Sequence, residues 1–154
     1  MKVLFLDLDG VVNTFEPYFL PELCAKIVRV LEATGAFVVL SSSWRKYLRA
    51  PLGSALWHDL AEGVLCEAGL PESIVERIIS ATRMPDENIP EDKLPRGHRA
   101  DEIREWLAAN PDVTHWAAVD DMGDWVTGLA NLVLTSSKTG ITDEDADLLI
   151  ALLS

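Results

Sequence analysis

The chain has 154 residues, 49% apolar and 25% charged, with 25 acidic residues against 13 basic ones and a formal net charge of -12. This length suffices to bury a core without disulfides or a structural metal and fits one ordinary domain, residues 1–154. The acidic balance disfavours loose adhesion to nucleic acid or to an anionic membrane, and the N-terminal apolar run breaks at Asp7, too soon for a signal peptide or a membrane span, so a cytoplasmic protein is expected.

Residues 2–7, KVLFLD, form an unbroken apolar run of strand length, the pattern of a central parallel strand. From Pro21 to Thr34, Leu23, Ile27, Val30 and Leu31 recur at helical spacing, and Gly35 follows as a C-cap. AFVVLSSSW, residues 36–44, predicts a second strand ending abruptly in hydroxyl residues. Residues 54–69 and 71–78 have helical character, and IISAT, 78–82, suits an edge strand. The Pro-rich stretch from Arg83 to Pro95 predicts an ordered loop, so that residues 46–95 together form a helical and loop insert near the site. A helix over 97–109 precedes a third long strand, VTHWAAVDD at 113–121, which ends in two aspartates. NLVLTSS, 131–137, again ends in hydroxyls, and Thr142 with Asp145 opens a last helix over 142–153.

Strands alternating with helices imply an α/β fold with a parallel sheet covered on both faces. In such sheets ligands bind beyond the carboxyl ends of the strands, where Asp7, Asp9, Ser42, Asp120 and Asp121 all fall. Cys24 and Cys66 stand singly among apolar and helix-forming residues, as buried thiols do. Trp57, Trp106, Trp116 and Trp125 are expected in packing, and His58, His98 and His115, lacking partners at metal-ligand spacing, at the surface. Positive charge gathers in two places, Arg45, Lys46 and Arg49, and Lys93, Arg96 and Arg99, each of which also suits a solvated helix end.

If Asp7, Asp9 and at least one of Asp120 and Asp121 converge at the strand ends, the three carboxylates cannot all ionise comfortably without a cation among them, and an all-oxygen donor set suits Mg2+. A strand-end aspartate beside such an ion can attack phosphorus and form an aspartyl-phosphate. A second carboxylate two residues on can protonate the leaving oxygen. Gly10 would let the backbone approach a phosphate closely, and Ser43, Trp44 and Arg45 lie where a substrate contact is expected.

DLDGVV resembles the first motif of the haloacid dehalogenase superfamily, and VVLSSSW and AVDD resemble its second and fourth. SSSWR, RADEIREWL and the doubled aspartate are more specifically similar to the compact phosphatase domains of RNA-repair and polynucleotide kinase/phosphatase proteins. The resemblance implies a Rossmann-like three-layer α/β/α sandwich with a minimal cap or none. It implies Asp7 as nucleophile, Asp9 as general acid and base whose backbone carbonyl also binds the metal, and Ser42 as the phosphate-binding hydroxyl, with Ser41 as the alternative. Arg99 matches the cation of the third motif, with Arg96 and Lys93 nearby. Asp121 matches the direct metal ligand, with Asp120 as its neighbour and Asp124 acting through water.

The function this predicts is a Mg2+-dependent phosphomonoester phosphatase working through an aspartyl-phosphate, its partner a phosphorylated small molecule or a phosphate-ended oligonucleotide. The alternatives are removal of a terminal phosphate from an oligonucleotide, and a non-catalytic phosphate-binding partner. Retention of both Asp7 and Asp9 counts against the last, because mere binding needs no general acid.

Overall fold

In the computed structural model, which describes residues 1–154, the N-terminal apolar run forms β1 (Lys2–Leu6). It is followed by α1 (Pro21–Thr34), β2 (Phe37–Leu40), a 3-10 turn (Ser43–Tyr47), α2 (Ala55–Glu67), α3 (Glu72–Val75) and β3 (Ile78–Ala81). The chain continues through a short 3-10 turn (Glu91–Lys93), α4 (His98–Ala109), β4 (His115–Asp120), β5 (Leu132–Leu134) and α5 (Asp143–Leu153). All five strands pair in parallel, in the order β3-β2-β1-β4-β5. The chain therefore winds outward from β1 in one direction and then in the other. The switch point, where an open α/β sheet offers a crevice to ligands, lies between β1 and β4.

Local signals set the helix ends. Gly35, at φ 70°, terminates α1 in the left-handed conformation that only glycine adopts cheaply. Thr142 and Asp145 form a reciprocal capping box at the start of α5, with hydrogen bonds of 3.1 and 2.9 Å.

The sheet is covered unequally. Leu4, Leu6, Leu40, Ala117, Val119 and Val133 belong to a core of 30 buried residues that also takes in the apolar faces of α1, α2, α3 and α5. The opposite face, Val3, Phe5, Val39 and Ala118, packs with Ala100 and Ile103 of α4 and with Leu129 in a cluster of only seven. Residues 48–81 thus build the edge of the sheet and part of its covering, while Lys46 and Tyr47 of the 3-10 turn and the loop from Arg83 to Pro95 lie toward the strand ends.

Two placements differ from expectation. His98 is buried, because the first turn of α4 is tucked against Trp125, whose ring lies 5.2 Å from the imidazole. Cys66 is only half-buried near the end of α2, whereas Cys24 is buried, with burial pushing its thiol up to about 11. No helix is long and apolar enough to cross a membrane.

Candidate active site

The register of the sheet brings the site together. Leu6 lies opposite Leu40 on one side and Val119 on the other, and the ladder continues one residue further. Asp7 N–H donates to Val119 C=O at 3.1 Å and Ser41 N–H to Leu6 C=O at 3.0 Å. Asp7, Ser41 and Asp120 therefore continue the sheet face formed by Phe5, Val39 and Ala118, because side chains two apart share a face. This is the face covered by α4, and the first turn of α4 carries Arg99.

Arg99 is 2% exposed and lies among acids. Its Nη1 is 2.8 Å from Asp120 Oδ2 and 3.3 Å from Asp7 Oδ2, while Nη2 donates to Ser43 Oγ at 3.0 Å and approaches Glu91 Oε1 at 3.5 Å. The guanidinium also sits 4.6 Å from the centre of the Trp125 ring. Burial works against its charge, but Asp7, Asp120 and Glu91 outweigh that effect and raise its pKa. Arg96 and Lys93 lie at the surface, paired with Asp124 at 3.5 Å and with Asp92 at 4.0 Å.

The carboxylates of Asp7, Asp120 and Asp121 offer oxygens that all lie within 4.8 Å of one another. Asp120 is already engaged, one oxygen on Arg99 and the other accepting from Met122 N–H at 2.8 Å. Asp7 and Asp121 are under strain as anions. Burial pushes the Asp7 pKa well above the ordinary carboxylate range; Arg99 opposes this, and Asp120 and Asp121 add to it. Burial likewise raises Asp121, with Asp120 contributing in the same direction. A crowded, all-oxygen donor set with too little positive charge fits a hard divalent cation such as Mg2+, for which Asp7 and Asp121 have carboxylate oxygens within reach.

That imbalance has a thermodynamic consequence. For an acid whose pKa is raised by folding, the native state holds the proton over the pH range between the ordinary and raised values, so stability falls as pH rises through that window. A cation bound between the carboxylates should cancel the loss. Mg2+ at a fixed concentration, about a hundredfold above its Kd at pH 8, should raise the unfolding midpoint by roughly 5–10 °C over an EDTA control at pH 8, and by less at pH 5, where protons compete for the carboxylates. Thermal denaturation at the two pH values checks this; equal midpoints with and without the ion would count against the site.

Gly10 makes room for the acidic cluster. Its φ is 77°, and a Cβ there would overlap the Asp121 carboxylate, so the missing side chain makes room for the acid. Its carbonyl accepts from the Thr135 hydroxyl at 2.8 Å, and its N–H donates to Asn13 Oδ1 at 2.9 Å. Asp9 is not brought into the acidic cluster. Its side chain turns aside, Oδ2 accepting from Trp44 Nε1 at 3.0 Å and Oδ1 from Asn13 Nδ2 at 2.9 Å.

The serines divide their work. Ser42 is fully buried, and its hydroxyl caps the following turn by accepting from Trp44 N–H at 3.3 Å, whereas the buried Ser41 hydroxyl has no partner. Ser43 Oγ donates to Glu91, at 2.8 and 3.0 Å from its two carboxylate oxygens. Arg45, expected to touch substrate, points away. It is 5% exposed, pairs with Glu102 at 2.9 Å, and donates to Thr82 Oγ1, Ser42 C=O and Arg83 C=O. Its donors are spent on holding the turn to α4, leaving Ser43, Trp44 and Gly10 at the site.

Glu91, Asn13 and Glu102 escaped the sequence reading. Asn13, three residues after Gly10 in DGVVN, carried the signal of a side chain able to cap its own turn. Glu91 and Glu102 carried none, since each finds its partner across the fold.

Among protein-family models, the one described as the HAD domain in Swiss Army Knife RNA repair proteins matches residues 3–146. Neither the curated proteins nor the solved structures gave a match. The match covers all five strand ends and every side chain in the cluster, so the chain belongs to this family of haloacid dehalogenase-type domains.

Proposed function

We propose that the chain is a Mg2+-dependent phosphomonoester phosphatase working through an aspartyl-phosphate on Asp7. The observation that carries this is the juxtaposition of Asp7 with Asp120, Asp121 and the buried Arg99 at the switch point of the sheet.

Asp7 attacks phosphorus with one carboxylate oxygen, and the bond from phosphorus to the substrate oxygen breaks. Asp9 gives that oxygen its proton. The same carboxylate, now ionised, takes a proton from water as the water attacks phosphorus. Inorganic phosphate leaves, and the Asp7 carboxylate and protonated Asp9 are restored. A bound Mg2+ would offset the negative charge of the carboxylates and the phosphoryl group. Asp120 holds Arg99 against the nucleophile. Arg99 and Ser43 already bind one anion, the Glu91 carboxylate brought in by the loop 83–95, and the phosphoryl oxygens of a substrate take over those donors. Ser41, in register with Asp7 and with its hydroxyl unpartnered, replaces Ser42 as the further phosphate donor.

The family match favours, as substrates, nucleic-acid ends that bear a terminal phosphate. Two unpaired thiols accord with a reducing, cytoplasmic setting. The test is phosphate release from sugar phosphates, nucleotides and 3′- or 5′-phosphorylated oligonucleotides, with Mg2+ and with EDTA. Metal-dependent release is expected, fastest from the oligonucleotides. Faster release from small phosphates would move the substrate class to metabolites, and no release from any member would leave phosphate binding without turnover.

A further inference from the structure

We propose that Trp44 is a positioning residue for the general acid, its indole N–H holding the Asp9 carboxylate on the leaving-group side of the site. This rests on the phosphatase reading above. Asp9 is exposed, and an exposed carboxylate ordinarily samples several rotamers. Here two donors from different segments fix it: Trp44 Nε1 from the turn after β2 and Asn13 Nδ2 from the loop after β1.

Both donors are themselves braced. The Trp44 ring packs against Phe19 at 5.0 Å and Tyr47 at 5.4 Å between centroids, while Asn13 is held through its Oδ1 by Gly10 N–H and donates again to Glu16 C=O at 3.2 Å. An indole N–H can only donate, so it fixes the carboxylate without competing for the proton that Asp9 delivers.

The position fits the chemistry. Displacement at phosphorus is in line, so the leaving oxygen departs opposite the nucleophile and its acid must stand apart from Asp7. Asp9 lies outside the Asp7, Asp120 and Asp121 cluster and lines a cleft of about 320 Å³ with Pro17, Ser43, Trp44, Lys46 and Tyr47. This cleft adjoins the Ser43 and Arg99 donors and has room for the remainder of the substrate.

Trp44→Phe keeps the ring and removes the N–H. The readout is kcat/KM, which reports steps through leaving-group departure, on two substrates. A nitrophenyl phosphate releases an anion that needs no proton, whereas a simple alkyl phosphate releases an alkoxide that does. The variant should lose about tenfold or more on the alkyl phosphate and less than about threefold on the nitrophenyl phosphate. Asn13→Ser, which removes the other donor, should show the same selectivity and serves if Trp44→Phe does not fold. Equal losses on the two substrates, no loss, or a loss confined to oligonucleotides would overturn the assignment while leaving the phosphatase intact. A wild-type chain inactive on both would overturn the phosphatase reading, and this inference with it.

Discussion

Asp7→Asn is expected to abolish phosphate release, by on the order of 10⁴-fold or more, while leaving the chain folded. The amide keeps the shape of the carboxylate but cannot form the aspartyl-phosphate. Its effect on stability should run opposite to its effect on rate. Burial makes the Asp7 anion unfavourable in the absence of a cation, and Asp120 and Asp121 add to that. A neutral isostere removes both penalties, and Arg99 keeps its 2.8 Å partner in Asp120. In EDTA at neutral pH the variant should therefore unfold at the same temperature as the parent or higher, with a smaller response to Mg2+. Phosphate release and thermal melts on the same preparation check both halves. Turnover above a tenth of the parent's would remove Asp7 as the nucleophile.

Arg99→Met should be the most destabilising change in the site, costing about 3–5 kcal/mol, because it leaves buried carboxylates without their cation. For a domain of ordinary stability that is a large share of the total. Urea unfolding at neutral pH in EDTA measures it. Combination with Asp120→Asn should restore part of the loss, since the second change removes the charge that the first leaves unpaired. Strictly additive losses would mean that Arg99 acts by packing on Trp125 rather than through its carboxylate partners.

The fold was legible in the sequence wherever signals were local. Pro21 to Gly35 marked α1 at both ends, and Thr142 with Asp145 marked the start of α5. IISAT sits at the sheet edge as its short, bounded apolar run predicted. The convergence of Asp7 with Asp120 and Asp121 followed from the rule for strand ends, whereas Asp9, expected beside them, turns to Trp44 and Asn13 instead. What could not be read were pairings that depend on how a turn rolls. Three serines in a row offer identical chemistry, and only the 3-10 turn separates the capping Ser42 from the unpartnered Ser41. Arg45 opens one basic cluster and Arg99 closes the other, yet both are buried, one paired with Glu102 and the other with Asp7 and Asp120. Glu102 lies 57 residues from Arg45, and no local pattern joins them.

The thin layer under α4 gives the site a second occupation. Only seven buried apolar residues join that helix to the sheet, so the charged seam formed by Arg99, Asp120, Arg45 and Glu102 acts as mortar between them. Selection on such a seam would act through protein abundance as well as through rate. Most substitutions at Arg99, Arg45 or Glu102 would deplete the protein in a cell before they slowed it, whereas changes at Asp9 or Asp121 would leave normal amounts of an idle chain. A mutational scan scored for abundance and for activity should sort the strand ends into these two groups.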